Sequence, residues 1–86
     1  MTLRELINMQ VLYENFKIRI FDRNGNEGEE YDKTKILNRL VTMEDLLSAK
    51  NWNGGKTLPE ECLDYQVMAI YGSNHKYKLA IEIKEV

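Results

Sequence analysis

The chain has very few of the side chains that carry out catalysis or bind metals. It contains one histidine, His75, and one cysteine, Cys62, among 86 residues. No two or three reactive side chains stand at the spacing of a catalytic or metal-binding motif. We therefore expect no catalytic residues, no metal site and no cofactor. A chain of this kind is more often a binder or an inhibitor than an enzyme.

Disulfides and membrane segments are also excluded by what is missing. A single cysteine cannot form an intramolecular disulfide and suits a reducing compartment. The N-terminal residues carry charges where a signal peptide needs an apolar stretch, and no apolar run approaches the roughly 20 residues that span a bilayer. The sequence predicts a cytoplasmic protein with no membrane contact.

The charge balance argues against direct binding of nucleic acid. The chain has 12 Lys and Arg against 14 Asp and Glu, a net charge of −2, with the two signs interspersed. Duplex nucleic acid is bound mainly through clustered cations. The longest basic cluster, Lys33-Thr34-Lys35, is too short to form such a patch. A protein partner is the better expectation.

The length and the pattern of apolar residues predict a single domain over residues 1–86. Thr2 and Glu5 have the spacing of a capping box, which predicts a helix from about 3 to 12. Thr42 is a second candidate N-cap, in one or two helical segments between 34 and 50. Pro59 begins a short helical turn.

Two hairpins are predicted by alternation of apolar and polar residues. Residues 16–21 alternate cleanly, Asn24-Gly25 is a strong turn signal, and 27–33 would return with only Tyr31 to bury. The second hairpin pairs 65–71 with 78–84, and places Val67, Ala69 and Tyr71 on one side. We expect an α+β fold, a small two-layer domain with an antiparallel sheet of about four strands and two or three short helices packed on it.

The loop at 51–57 contains the two features that most invite a functional interpretation. Gly55-Lys56-Thr57 resembles the end of a phosphate-binding loop, but Lys50 stands where the first glycine is required. Trp52 is the only tryptophan, a residue type enriched both in cores and in binding hot spots. Packing in the core and contact with a partner are the two interpretations.

The segment from 22 to 32 carries five carboxylates in eleven residues: Asp22, Glu27, Glu29, Glu30 and Asp32. It begins like a calcium-binding loop, but Gly25 comes two positions early and no helix precedes it. The pattern is typical of a solvated hairpin tip. The functional alternative is an acidic surface for a basic groove on a partner.

The chain resembles small α+β accessory proteins carried by phages and mobile elements of Gram-positive bacteria. The resemblance lies in the capped N-terminal helix, the strand and turn from Ile18 to Gly25, and the segments Leu58-Pro59-Glu60-Glu61, Val67-Met68-Ala69-Ile70 and Leu79-Ala80-Ile81-Glu82-Ile83. Some such proteins inhibit host defence systems, including CRISPR nucleases. The resemblance implies an inhibitory role and transfers no functional residue.

The leading hypothesis is a non-enzymatic protein-binding module, as a phage-encoded inhibitor of a host nuclease or defence complex. Its candidate partner-binding residues are Asp22, Glu27, Glu29 and Glu30, with Trp52 as an anchor. One alternative is an oligomeric module that binds a small ligand or nucleotide through 51–57. The other is a homo-oligomeric structural or assembly protein in which strand 27–33 pairs with a copy of itself.

Overall fold

A computed structural model of the chain describes residues 1–12, 16–32, 40–48, 52, 57–72 and 79–86. In chain order, the elements are α1 (Leu3–Asn8), β1 (Phe16–Phe21), β2 (Glu27–Asp32), α2 (Met43–Leu47), a 3-10 helix (Glu60–Asp64), β3 (Gln66–Gly72) and β4 (Leu79–Lys84). This is the small α+β domain that the sequence predicts, and both predicted hairpins are present.

The sheet has the order β2-β1-β4-β3, and the joint between the two hairpins differs from the prediction. β1 pairs antiparallel with β2, and β4 pairs antiparallel with β3, but β1 and β4 run parallel. The expected all-antiparallel sheet is therefore a mixed one. The reason is that the chain crosses from β2 at one edge to β3 at the opposite edge, so β4 returns to lie against β1.

The two faces of the sheet are clearly different. One face, which we call the helix face, carries Phe16 and Ile18 of β1 and Ile81 and Ile83 of β4, all fully buried. These four side chains form one cluster with residues of both helices and of the 3-10 helix: Leu3, Leu6, Ile7, Leu46, Cys62 and Leu63. The opposite face, which we call the outer face, carries the alternate residues of the same strands, beginning with Lys17, Arg19 and Phe21 of β1.

Arg19 and Phe21 of β1 flank an irregularity in the pairing with β2. Gly28 of β2 approaches β1 closely at this point. A Cβ atom on Gly28 would lie 3.1 Å from the carbonyl oxygen of Ile20. Glycine therefore fits a position where a side chain would crowd the neighbouring strand.

A second irregularity in β3 changes the expected alternation of its side chains. Val67 pairs with Ile83, but Ala69 pairs with Glu82, so Met68 is an extra residue on the β3 side. Val67 consequently lies on the helix face, while Ala69 and Tyr71 lie on the outer face. The prediction that these three share one side was wrong, because strict alternation does not anticipate a bulge.

The capping box predicted at Thr2 and the N-cap predicted at Thr42 are both confirmed, and Thr42 also forms a capping box. In α1, the Thr2 hydroxyl accepts from the Glu5 N–H and the Glu5 carboxylate accepts from the Thr2 N–H; Thr42 and Asp45 do the same in α2. The part of the second helical prediction at 34–39 lies outside the described residues. No described helix has the length and apolar character needed to cross a membrane.

Helix α1 is shorter than the predicted 3–12, because the chain leaves the helical conformation at Gln10. Gln10 has a φ of 57°, and its N–H donates to the carbonyl of Ile7 at 3.0 Å. This is the left-handed position that ends many helices and that glycine adopts most easily. The sequence gives no signal of it, since glutamine rarely takes this conformation.

We predict that Gln10→Gly raises the free energy of unfolding by about 0.5–1 kcal/mol, because it removes the strain of a side chain at positive φ. Met9→Gly is the matched control: Met9 has a right-handed φ of −70°, so glycine there should be destabilising. Urea unfolding followed by circular dichroism measures both changes. Equal destabilisation by the two variants would contradict this interpretation of Gln10.

Candidate functional site

Trp52 lies in the core, which was one of the two interpretations of its sequence. It is 4% exposed, and its indole N–H donates to the Leu46 carbonyl. Its ring packs edge-on against Phe16 and Tyr31, with centroid distances of 5.8 and 5.9 Å. The hypothesis that Trp52 is an exposed anchor for a partner is therefore wrong, because its side chain is buried in the core.

Asp22 is used inside its own turn. Its Oδ1 accepts from the N–H groups of Asn24 and Asn26, both at 2.9 Å, and its Oδ2 accepts from the Asn26 side chain at 3.3 Å. The hydrogen bonds from Asn26 and neighbouring amides lower the pKa of Asp22. Gly25, with a φ of 82°, completes the turn. The carboxylate thus shapes the hairpin tip.

Glu29 and Glu30 are neighbours in sequence but lie on opposite faces of β2. Glu29 lies on the side of Tyr31, whose hydroxyl donates to the Glu29 carboxylate at 2.8 Å. Burial, together with this hydrogen bond, raises the pKa of Tyr31 to about 12. Glu30 pairs in register with Arg19 on the outer face. The carboxylates of Glu29 and Glu30 therefore lie on different faces of β2.

The two carboxylates on the outer face, Glu27 and Glu30, are paired with cations of β1. Glu27 forms a close ion pair with the Arg19 guanidinium, including a hydrogen bond from Nε at 3.1 Å. Glu30 lies 3.6 Å from Arg19 and 3.7 Å from the Lys17 ammonium. Their negative charge is thus balanced by β1.

Arg19 is the centre of a network that joins all four strands on the outer face. Besides the carboxylates of β2, its Nη1 reaches Glu82 of β4 at 3.1 Å and the hydroxyl of Tyr71 of β3 at 3.4 Å. Tyr71 donates in turn to Glu82 at 3.1 Å. The hydrogen bond to Glu27 and then that to Tyr71 raise the pKa of Arg19, and its guanidinium lies 5.7 Å from the ring centroid of Phe21. We call Arg19, Glu27, Glu30, Tyr71 and Glu82 the Arg19 network.

Among the described strands, β3 carries the large apolar side chains that remain exposed: Met68 and Tyr71 at the Arg19 network, and Ile70, which pairs with Ile81, on the helix-face side. Met68, Ile70 and Tyr71 are 45%, 44% and 42% exposed. Met68 also lines an open cleft of about 420 Å³ at the end of the sheet, together with Gln66, Lys84 and Val86. The outer face therefore has the Arg19 network at its centre and exposed apolar side chains at its β3 edge, which we call its β3 side.

Sequence reasoning missed the Arg19 network. The only signal was an arginine at an outward position of an alternating strand. Its partners Tyr71 and Glu82 are 52 and 63 residues away. The contacts of Arg19 depend on the order of the strands in the sheet. The pattern of residues along the chain does not show that order.

Cys62, the single cysteine of the chain, is buried against the helix face as a small apolar residue. Burial is the main cause that raises the pKa of its thiol to about 11. His75, the single histidine, lies outside the described residues, as does most of the 51–57 loop. A thiol in this environment is protonated at neutral pH and is a poor nucleophile.

Comparison with known proteins gives no family for the chain. No protein-family model matches it, and neither the curated proteins nor the solved structures contain a significant match.

We predict that Cys62 of the folded protein reacts with a thiol reagent at pH 8 at least about a hundredfold more slowly than in urea, because its pKa of about 11 leaves little thiolate and the fold blocks access. The rate of absorbance change with a disulfide reagent measures this. Rapid labelling of the native protein would contradict the burial of Cys62.

Proposed function

We propose that the chain is a non-enzymatic protein-binding module that contacts its partner through the outer face and its β3 side. The observation that supports this most is that Met68 and Tyr71 of β3 remain exposed at the Arg19 network. Both described helices and the 3-10 helix pack on the helix face, so no helix of the described part of the chain covers the outer face.

The residue types on this face are those that contribute most to protein interfaces. Arginine, tyrosine, phenylalanine and methionine are enriched there, and arginine and tyrosine recur among binding hot spots. Arg19, Phe21, Met68 and Tyr71 supply all four types. An apolar group of this kind beside a polar network resembles the core and rim of an interface.

The Arg19 network also reduces the entropic cost of binding. Arg19 and Tyr71 are long or large side chains that would lose freedom when a partner contacts them. Hydrogen bonds to Glu27 and Glu82 already restrict both in the free protein. Individually such exposed pairs contribute little to stability, about 0–1 kcal/mol. Their larger effect is to hold the surface in one arrangement.

The charge of the outer face favours a protein over a nucleic acid. Its described strand side chains include three cations and three carboxylates, namely Lys17, Arg19, Lys84, Glu27, Glu30 and Glu82. Nucleic acid would require an excess of cations. A balanced face suits a protein surface with mixed charges and apolar side chains.

More specifically, we propose that the partner is a host nuclease or defence complex, which is inhibited when the chain covers its surface. It rests on the sequence resemblance to accessory proteins of phages and mobile elements. Inhibition of the captured enzyme by the purified protein tests it; full enzyme activity in a saturated complex would contradict it.

We predict that the double variant Met68→Ala/Tyr71→Ala loses a partner that the tagged wild-type protein captures from lysate of the native host. With the partner identified, the dissociation constant should rise at least about tenfold, since hot-spot truncations commonly cost more than 1.4 kcal/mol. Titration calorimetry measures this.

The matched control is Met9→Ala/Val11→Ala, which removes two side chains that are each 54% exposed but lie beyond α1. It should bind like the wild type, and circular dichroism checks that both variants fold. Unchanged binding by Met68→Ala/Tyr71→Ala would contradict the proposed surface. Charge reversal by Glu29→Lys distinguishes the outer face from the acidic hairpin as the binding surface. Partner binding should be unchanged if the partner contacts the outer face, and weaker if it contacts the hairpin.

A further inference from the structure

The two edges of the sheet differ sharply in charge. The β2 edge strand, Glu27–Asp32, carries four carboxylates in six residues, whereas the β3 edge strand, Gln66–Gly72, has no charged residue. Like charges oppose the pairing of a strand with a copy of itself, and natural proteins use charges on edge strands to prevent it. The sequence-based suggestion that strand 27–33 self-pairs is therefore disfavoured, while β3 has no such protection.

The beginning of the β3 edge is already paired with an extended segment. The N–H of Val67 donates to the Met1 carbonyl at 2.8 Å, and the N–H of Leu3 donates to the Tyr65 carbonyl at 3.1 Å. Thr2 and Gln66 form an antiparallel bridge. Among the described residues this pairing ends at Val67. The start of the β3 edge thus already pairs with another segment of the chain, and this pairing is antiparallel.

Ile70 marks the centre of the remaining edge. It pairs in register with Ile81, which is fully buried on the helix face, yet Ile70 keeps nearly half of its surface exposed. Valine, isoleucine and tyrosine favour strands, and apolar cross-strand pairs stabilise them. A second strand added at this edge would cover the exposed part of Ile70.

We propose that a second copy of the chain pairs its β3 antiparallel with this β3, across a two-fold axis near Ile70. Each copy would present the same uncharged strand to the other, which is the self-complementarity that a two-fold interface requires. The four-stranded sheets would join into one of eight strands. This extends the proposed function, because the two outer faces would form one continuous binding surface.

Oligomeric state in solution tests the pairing. Light scattering during gel filtration should give the wild-type protein twice the chain mass of 10.1 kDa. Ile70→Lys should give the single-chain mass, because two ammonium groups would face each other across the axis. Val11→Lys, at an exposed apolar residue beyond α1, is the matched control and should remain a dimer.

A second measurement keeps the proposal testable if Ile70→Lys does not fold. Antiparallel pairing near Ile70 brings the two Ile70 positions within disulfide distance. Ile70→Cys should therefore form a covalent dimer on mild oxidation, and Val11→Cys should not. A wild-type protein with single-chain mass at all accessible concentrations would overturn the pairing, as would dimers of Ile70→Cys and Val11→Cys that form at equal rates.

The same samples distinguish failure of the pairing from failure of the proposed function. A monomeric wild-type protein that still captures a partner through Met68 and Tyr71 would overturn only the pairing. A dimer whose partner binding is unaffected by Met68→Ala/Tyr71→Ala would overturn only the proposed outer-face function. A dimer that persists in Ile70→Lys would place the interface elsewhere.

Discussion

The packing of Trp52 is the contact on which the arrangement of the sheet depends. The order β2-β1-β4-β3 forces the chain to cross from one edge of the sheet to the other between residues 32 and 66. Trp52 lies within this crossing, stacks edge-on against residues of β1 and β2, and donates to the carbonyl of Leu46 at the end of α2. A chain of this length has a thin core, so one large aromatic contributes a substantial part of it.

The division of the sheet into two faces follows from this packing. Because Trp52, both helices and the 3-10 helix all cover the helix face, the polar residues of β1 and β4 are directed to the outer face. There Arg19 joins carboxylates of β2 and β4 and the hydroxyl of Tyr71. In this network Glu27 and Glu30 are paired with cations of β1, while Met68 and Tyr71 of β3 remain exposed beside it. The proposed binding surface is thus a consequence of where the core lies.

Local features of the fold could be predicted from the sequence, and features set by distant neighbours could not. Alternation in 16–21 and the threonines at 2 and 42 identified β1 and both helix caps, because these signals act over a few residues. The parallel joint of β1 and β4, the bulge at Met68 and the left-handed Gln10 arise from packing. The carboxylates of the hairpin were visible as a cluster in the sequence, but their partners Arg19, Lys17 and Tyr31 were not, because these contacts form between strands.

The measurement that most directly tests the outer-face and β3 account is amide hydrogen exchange of the protein alone and in its captured complex. Backbone amides report which sheet edge becomes paired or covered. Slower exchange along Gln66–Gly72 in concentrated protein or in the complex, with Glu27–Asp32 unchanged, is the result that the account predicts. Protection confined to Glu27–Asp32 would contradict it, and would return the acidic hairpin to the centre of the binding surface.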